Sequence, residues 1–129
     1  AVEIFYEAIK KKSYTCFLEA DTTLPMMYMP DAIRGTIQLA ETDFAKLQHH
    51  SNFNFAGVSF SCAEIAAEIK KHIPEFTIEY KPDFRQKIAN SWPKSIDDAA
   101  SRKEWGWKVQ YDLKKMVEDM LLNLRKKLS

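Results

Sequence analysis

Residues 24–41 constrain the fold more than any other stretch. Leu24-Pro25-Met26-Met27-Tyr28-Met29 carries no charge and runs straight into Pro30-Asp31, then Ala32-Ile33-Arg34-Gly35-Thr36-Ile37-Gln38-Leu39-Ala40-Glu41. A membrane-spanning helix needs about 20 apolar residues, so this apolar part is too short for one. A proline here pre-sets the helical φ and gives up an N–H that the first turn would leave unpaired, while Asp31 suits the positive helix end. Beyond them Ile33, Ile37, Ala40, Phe44 and Leu47 recur at helical spacing and form one apolar stripe. The stretch predicts an extended segment feeding an amphipathic helix, a buried connection between two lobes.

The rest of the chain reads as mixed α and β in a single unit, residues 1–129, without a repeat, a low-complexity tract or a dividing linker. Residues 1–12 form a helix with Val2, Phe5 and Ile9 inward and Lys10, Lys11 and Lys12 at its end. Tyr14-Thr15-Cys16-Phe17-Leu18 is rich in strand formers and is followed by a turn at Asp21-Thr22-Thr23. Asn52-Phe53-Asn54-Phe55-Ala56 alternates and ends at Gly57, which makes it a strand candidate. Ser61-Cys62-Ala63-Glu64 has the spacing of a capping box, ahead of a helix with Ile65, Ile69 and Ile73 on one side. Phe76-Thr77-Ile78-Glu79-Tyr80 is an alternating strand ended by Pro82. Short helices are expected over residues 83–90 and from Asp97 and Asp98 towards Trp105. Leu113, Met116, Val117, Met120, Leu121, Leu124 and Leu128 then mark a final amphipathic helix.

A formal net charge of +1 argues against a nucleic-acid partner, since phosphate binding needs clustered excess Lys and Arg. The two basic clusters, Lys10 to Lys12 and Arg125 to Lys127, both fall at helix C-terminal ends and complement the dipole there. No run of about 18 apolar residues exists to make a transmembrane helix. Cys16 and Cys62 lack metal-site spacing and read as free thiols of a reducing compartment. His49-His50 does not suggest a metal site either, because adjacent side chains point apart and no further ligand clusters nearby; an exposed pair is expected. His72 closes a helix as a surface residue. A start in mid-helix at Ala1, without methionine or leader, leads to the expectation that upstream sequence is missing.

As a string of residues, the 24–41 run closely resembles the short-chain-type, epimerase-like L-threonine 3-dehydrogenases, in their C-terminal portion only. Lys81-Pro82-Asp83-Phe84-Arg85, Asn90-Ser91-Trp92-Pro93 and Trp105-Gly106-Trp107-Lys108 after Asp97-Asp98 are similar to the same family, and the likeness extends over nearly the whole chain. The resemblance implies an α/β fold: the last elements of a Rossmann domain plus a small α/β substrate-binding lobe, the N-terminal nucleotide-binding half being absent. It implies NAD as cofactor of the intact enzyme, L-threonine as substrate, 2-amino-3-oxobutanoate as product, a homodimer and, from animal members, a mitochondrial location. Two departures stand out: Cys62 occupies a position where a proline is expected, and the Phe53/Phe55 segment is unusually aromatic.

Carried onto this sequence, the family's cleft tryptophan before proline is Trp92, the single substrate-binding residue assigned. Its indole N–H donates and cannot accept, so it suits a carboxylate oxygen, while the ring excludes water. The bland alternative is an aromatic anchor under a loop. Ser91 beside it has no base and reads as a loop residue. No catalytic, cofactor-binding or metal residue is assigned. Gly35, Gly57 and Gly106 are the only glycines and lie too far apart to build a loop around a pyrophosphate. Tyr6 with Lys10 and Tyr111 with Lys115 both match the Tyr-x-x-x-Lys spacing that lowers a phenol pKa in short-chain dehydrogenases. Both read as chance, since the family's catalytic pair aligns upstream of Ala1. Trp105 and Trp107 are expected to pack the small lobe. Two other readings remain open at this point: a segment of a nucleotide-sugar epimerase or reductase, and a truncated, non-catalytic product or dimerisation module. Sugar-nucleotide binding needs basic residues, and Arg34, Arg85 and Arg102 are the only interior arginines.

Overall fold

Parallel strands cannot be joined by a tight turn, so a parallel pair forces a crossover. In the computed structural model, which describes residues 2–128, that pair is β1 (Ser13–Cys16) and β4 (Thr77–Tyr80), in register from Ser13 opposite Thr77 to Cys16 opposite Tyr80. The crossover is long and contains a second ladder. Here β2 (Thr23–Met26) runs antiparallel to β3 (Val58–Ser61), with Thr23 opposite Ser61 and Met26 opposite Val58. Among the described residues six helices accompany the ladders: α1 (Glu3–Lys11), α2 (Met29–Glu41), α3 (Cys62–His72), α4 (Arg85–Asn90), α5 (Ala99–Trp105) and α6 (Leu113–Leu128), with a 3-10 turn at Phe44–Lys46.

The core forms where α1, α3 and α6 press on one another and on the strands. Phe5, Ala8, Ile69, Phe76, Val117 and Leu121 are each 2% exposed or less. Their spacing explains the helices: Ile65, Ile69 and Ile73 on one side of α3, and Met116, Val117, Leu121 and Leu124 on α6, all bury as predicted. Ser61 and Glu64 complete the predicted capping box, with the Ser61 hydroxyl accepting from Glu64 N–H at 3.2 Å and the Glu64 carboxylate from Ser61 N–H at 2.7 Å. At the end of α1, Lys12 takes up the left-handed conformation and its ammonium reaches Glu75 at 3.0 Å. Gly106 does the same work for α5 at φ 72°, a conformation that favours glycine.

Three expectations from sequence need correction. Val2 is exposed, and Ile4, Phe5 and Ala8 form the inner face of α1 instead. Residues 52–57 belong to no strand, and Asn52 takes up the left-handed conformation at φ 62°; the strand comes next, at Val58–Ser61. Their backbone groups bond to side chains: Asn54 C=O accepts from the Ser101 hydroxyl, Ala56 N–H donates to Asp98 at 3.2 Å, and Ala56 C=O accepts from the Trp107 indole at 2.8 Å. The alternation was real, but it serves Phe53 and Phe55 packing on Trp105 and Trp107 rather than a ladder.

The third correction concerns the stripe on α2. Met29, Ile33 and Ile37 are more than half exposed, and Phe44 beyond them is too. The buried positions of this helix are Asp31 and Gly35. Asp31, 1% exposed, accepts from the Arg34 guanidinium at 2.7 Å and from the Gln110 and Tyr111 N–H groups at 3.0 Å each. Arg34 also donates to Lys108 C=O at 2.5 Å and lies 4.7 Å from the Trp107 ring. Gln38 donates to Trp105 C=O at 2.8 Å. A polar face is the face this helix turns to the molecule, with the Asp31 carboxylate fully bonded and Arg34 Nε left buried without a hydrogen-bond partner.

Candidate functional site

Trp92 follows directly on α4, where Ser91 and Trp92 N–H groups close the last turn on Ile88 and Ala89 carbonyls. Pro93 stops any continuation, because it has no N–H and clashes with a preceding turn. The indole therefore stands at the lip of a cleft of about 290 Å³, still 56% exposed. Ala89, Asn90 and Lys94 complete its side of the cleft; Glu19, Asp21 and Thr22 from the loop between β1 and β2, with Thr23 at the start of β2, form the other side.

A buried amide holds the two sides together. Gln86 on α4 is 8% exposed. Its Oε1 accepts from Glu19 N–H at 2.8 Å, and its Nε2 donates to the Thr22 hydroxyl at 2.9 Å and to Asn90 Oδ1 at 2.7 Å. Both walls of the cleft therefore hang on one side chain. The β1–β4 ladder prolongs the attachment: Lys81 N–H donates to Cys16 C=O at 2.8 Å and Asp83 N–H to Phe17 C=O at 3.3 Å. Arg85 lies across the Phe17 ring at 3.4 Å and pairs with Asp83 at 2.6 Å. Its hydrogen bonds hold the Asp83 carboxyl below the usual carboxylate range.

Lys94 and Trp92 line one wall of the cleft, and Glu19, Asp21, Thr22 and Thr23 line the other. Such a set can hold a small zwitterion by both ends. It is not suited to a pyrophosphate: Arg34, Arg85 and Arg102 are paired with Asp31, Asp83 and Asp98. No glycine forms a phosphate cradle either. Gly35 lies inside a helix against Phe55 and Trp107, and Gly106 caps α5.

The other sequence candidates lie elsewhere. Tyr6 packs against the core, with the Lys10 ammonium 5.8 Å from its ring. Tyr111 sits edge-on to Tyr28 at 4.9 Å and lies outside α6, so it shares no helix with Lys115. Neither lines the cleft. His49 is exposed and pairs with Glu104, whose carboxylate also accepts the N–H groups of Gln48 and His49; His50 stacks on Phe44 at 4.1 Å. Among the described residues no three His, Cys, Asp or Glu side chains cluster as metal ligands. No helix is long and apolar enough to cross a membrane. Cys16 and Cys62 are free and border an apolar pocket of about 70 Å³, where burial pushes the Cys62 thiol up to about 12. Trp105 and Trp107 are buried as packing residues.

Gln86, Lys94 and Glu19 escaped the sequence reading. A lone glutamine among charged neighbours carries no periodic signal, and Lys94 and Glu19 meet only through the fold. The Trp92-Pro93 pair was the one local pointer to this cleft.

No family model matches the chain. Over 128 residues it is 47% identical to an uncharacterized epimerase/dehydratase of Staphylococcus haemolyticus, covering 98% of this chain and 40% of that protein. It is 43% identical over 122 residues to the mitochondrial L-threonine 3-dehydrogenase of Bos taurus, covering 94% of this chain and 32% of that protein. Among solved structures, the GalE-like L-threonine dehydrogenase of Cupriavidus necator superposes with a TM-score of 0.90 at 56% identity, over 95% of this chain and 44% of that one. The chain thus spans about 40% or less of the length of the curated relatives it matches.

Proposed function

This chain matches the C-terminal portion of GalE-like enzymes, and we propose that it is the substrate-binding portion of an NAD-dependent L-threonine 3-dehydrogenase. The observation that carries the reading is the cleft of Trp92, with Lys94 on one wall and Glu19 and Asp21 on the other. A free amino acid is a carboxylate and an ammonium separated by one carbon, and this cleft offers the complement of each. Trp92 donates its indole N–H to the carboxylate and closes the cleft to water; Gln86 keeps the two walls at a fixed separation. Threonine held this way presents its β-hydroxyl for oxidation to 2-amino-3-oxobutanoate.

The nucleotide site and the catalytic tyrosine belong, in this reading, to a preceding half of the protein, and none of the chemistry is assigned to residues 1–129. NAD, a homodimeric assembly and a mitochondrial location enter on the likeness to L-threonine dehydrogenases alone, and a bacterial relative matches at 47% identity against 43% for the mitochondrial one. The nucleotide-sugar alternative is not favoured, because every interior arginine already has a carboxylate partner.

A chimera tests the proposal: residues 1–129 in place of the corresponding segment of the Cupriavidus necator enzyme, assayed for NADH formation with L-threonine and, because epimerisation leaves no net NADH, by chromatography of the sugar products with UDP-sugars. The expected result is turnover of L-threonine, no turnover of UDP-sugars, and a rise in KM of tenfold or more in Trp92→Ala with a smaller change in kcat. A folded chimera that turned over UDP-glucose and ignored threonine would refute it. The chain on its own is expected to show no turnover; measurable activity would bring Tyr6 and Tyr111 back as candidates.

A further inference from the structure

We propose that Cys16 and Cys62 form a dithiol site that a small-molecule disulfide oxidises to an internal disulfide, stiffening residues 17–22, one wall of the cleft. The proposal concerns the chemistry of this chain's own residues and stands whether or not threonine is the substrate.

The fold brings together two cysteines that are far apart in sequence. Cys16 ends β1 and Cys62 opens α3, and both line the same apolar pocket of about 70 Å³ with Leu18, Leu24 and Phe60. Three contacts hold the approach. Ala63 N–H donates to Ala20 C=O at 2.8 Å, Thr23 pairs with Ser61 across the β2–β3 ladder, and the Cys62 thiol points at Thr22 C=O from 3.8 Å. Burial, and then the neighbouring Cys16 thiol, push the Cys62 thiol up to about 12, so the two sulfurs already sense each other. Both are free thiols in this structure. An S–H group is a weak donor, and the pocket surrounds it mostly with hydrocarbon; a disulfide has no hydrogen to satisfy.

The two cysteines are not equivalent. Cys16 is 6% exposed and Cys62 is half-buried, so Cys62 meets the reagent first. Its thiolate attacks one sulfur of a disulfide RSSR. A bond forms to Cys62, and RS⁻ leaves and takes up the proton that Cys62 gave away. The Cys16 thiolate then attacks the Cys62 sulfur of this mixed disulfide, the internal bond forms, and a second RSH departs. Two protein thiols lose two electrons, and one RSSR becomes two RSH. A thiol raised to about 12 is scarcely ionised at neutral pH, so the first step is slow. The second step gains from a partner already in place, which acts at high effective concentration.

The bond reaches the cleft through a short loop. Cys16 lies immediately before residues 17–22, and Thr22 at the far end carries both the Cys62 contact and a hydrogen bond from Gln86. Oxidation removes the weak S–H donor from Thr22 C=O and adds a covalent tie between the start of the loop and α3. The tie outweighs the lost contact, because a covalent link restricts the loop far more than one sulfur hydrogen bond does.

Oxidised glutathione is the probe. Brought to equilibrium with the reduced 129-residue chain in mildly alkaline buffer, it should yield a protein lighter by two hydrogens and free of attached glutathione. A non-reducing peptide map should join Cys16 to Cys62. The equilibrium constant should be about tenfold or more higher for the folded chain than in urea. Amides of Glu19 and Thr22 should then exchange about threefold or more slowly, while that of Ala45, in an exposed turn, keeps its rate. Cys16→Ser should stop with glutathione on Cys62; a variant without that adduct would overturn Cys62 as the point of entry. The parent chain alone decides the bond, so a poorly folded variant leaves the test intact. A lasting glutathione adduct on the folded parent, a disulfide between two chains, or oxidation that proceeds only in urea would each overturn the proposal. An internal disulfide that leaves the Glu19 and Thr22 amides at their former rates would overturn the stiffened wall.

Discussion

Asp31 and Gly35 show how two residues set the attitude of a helix. The Asp31 carboxylate accepts one guanidinium and two backbone N–H groups while almost wholly excluded from water. Asp31→Asn removes the charge and leaves the partly exposed Arg34 without its ion pair. The expected cost is about 2–4 kcal/mol in denaturant unfolding, below the full penalty of a buried pair because Arg34 keeps some solvent. Gly35 offers a sharper test, because two effects oppose each other. In a helix interior, alanine is better than glycine by about 1 kcal/mol. Here its Cβ would sit 2.7 Å from the Phe55 ring and 2.8 Å from Trp107, both held by packing. Gly35→Ala should therefore destabilise by about 1–3 kcal/mol, the cost of overpacking. A rise in melting temperature would show that the rings yield easily.

Among the elements, α5 and the segment before β3 depend on one another. Asp98 caps this contact by accepting from Arg102 Nε at 2.7 Å and from Ala56 N–H at 3.2 Å. The Arg102 hydrogen bond, with help from the Ala56 N–H, holds its carboxyl below the usual carboxylate range. A carboxyl lowered in the folded state adds stability above its unfolded value, near pH 3.9, and loses it as the pH falls through the folded value. The melting temperature should accordingly fall on acidification below about pH 4, and Asp98→Asn should flatten part of that fall. The cleft makes the same point through Gln86. Gln86→Leu unlinks α4 from the loop between β1 and β2, so with 5-fluorotryptophan labelling the Trp92 resonance should shift while those of Trp105 and Trp107 stay put. Movement of all three would mean general unfolding rather than an opened cleft.

At the scale of the molecule, α1, α3 and α6 close one core over both ladders, so the chain should unfold in a single transition. Leu121→Ala is expected to cost about 2–5 kcal/mol and to move that transition as a whole. Much of this plan was legible in advance. The stripe of α6, the capping box and isoleucines of α3, and the alternation of β4 each repeat a local period that the structure keeps. The pairing of β1 with β4 was not legible, because the two strands are more than sixty residues apart and both carry generic strand formers. Of the cleft, Trp92-Pro93 was legible as a dipeptide; Glu19, Asp21, Gln86 and Lys94 were not, since no local pattern relates a loop after β1 to a turn after α4.

Sequence alone determined the main helices and the lack of a glycine-rich loop, because periodicity, caps and glycine spacing are properties of neighbouring residues; the strand Val58–Ser61 was not among the elements it determined. It also indicated an apolar stripe of Ile33, Ile37, Ala40, Phe44 and Leu47, although the helix itself ends at Glu41. Only the tertiary structure decided which way that stripe faces. A helix turns toward whatever yields the larger gain, and for α2 that is a satisfied buried carboxylate and a close ring contact at Gly35, with the isoleucines left to the outside. The residues 24–41 are thus both the start of a helix and the outer wall of this portion.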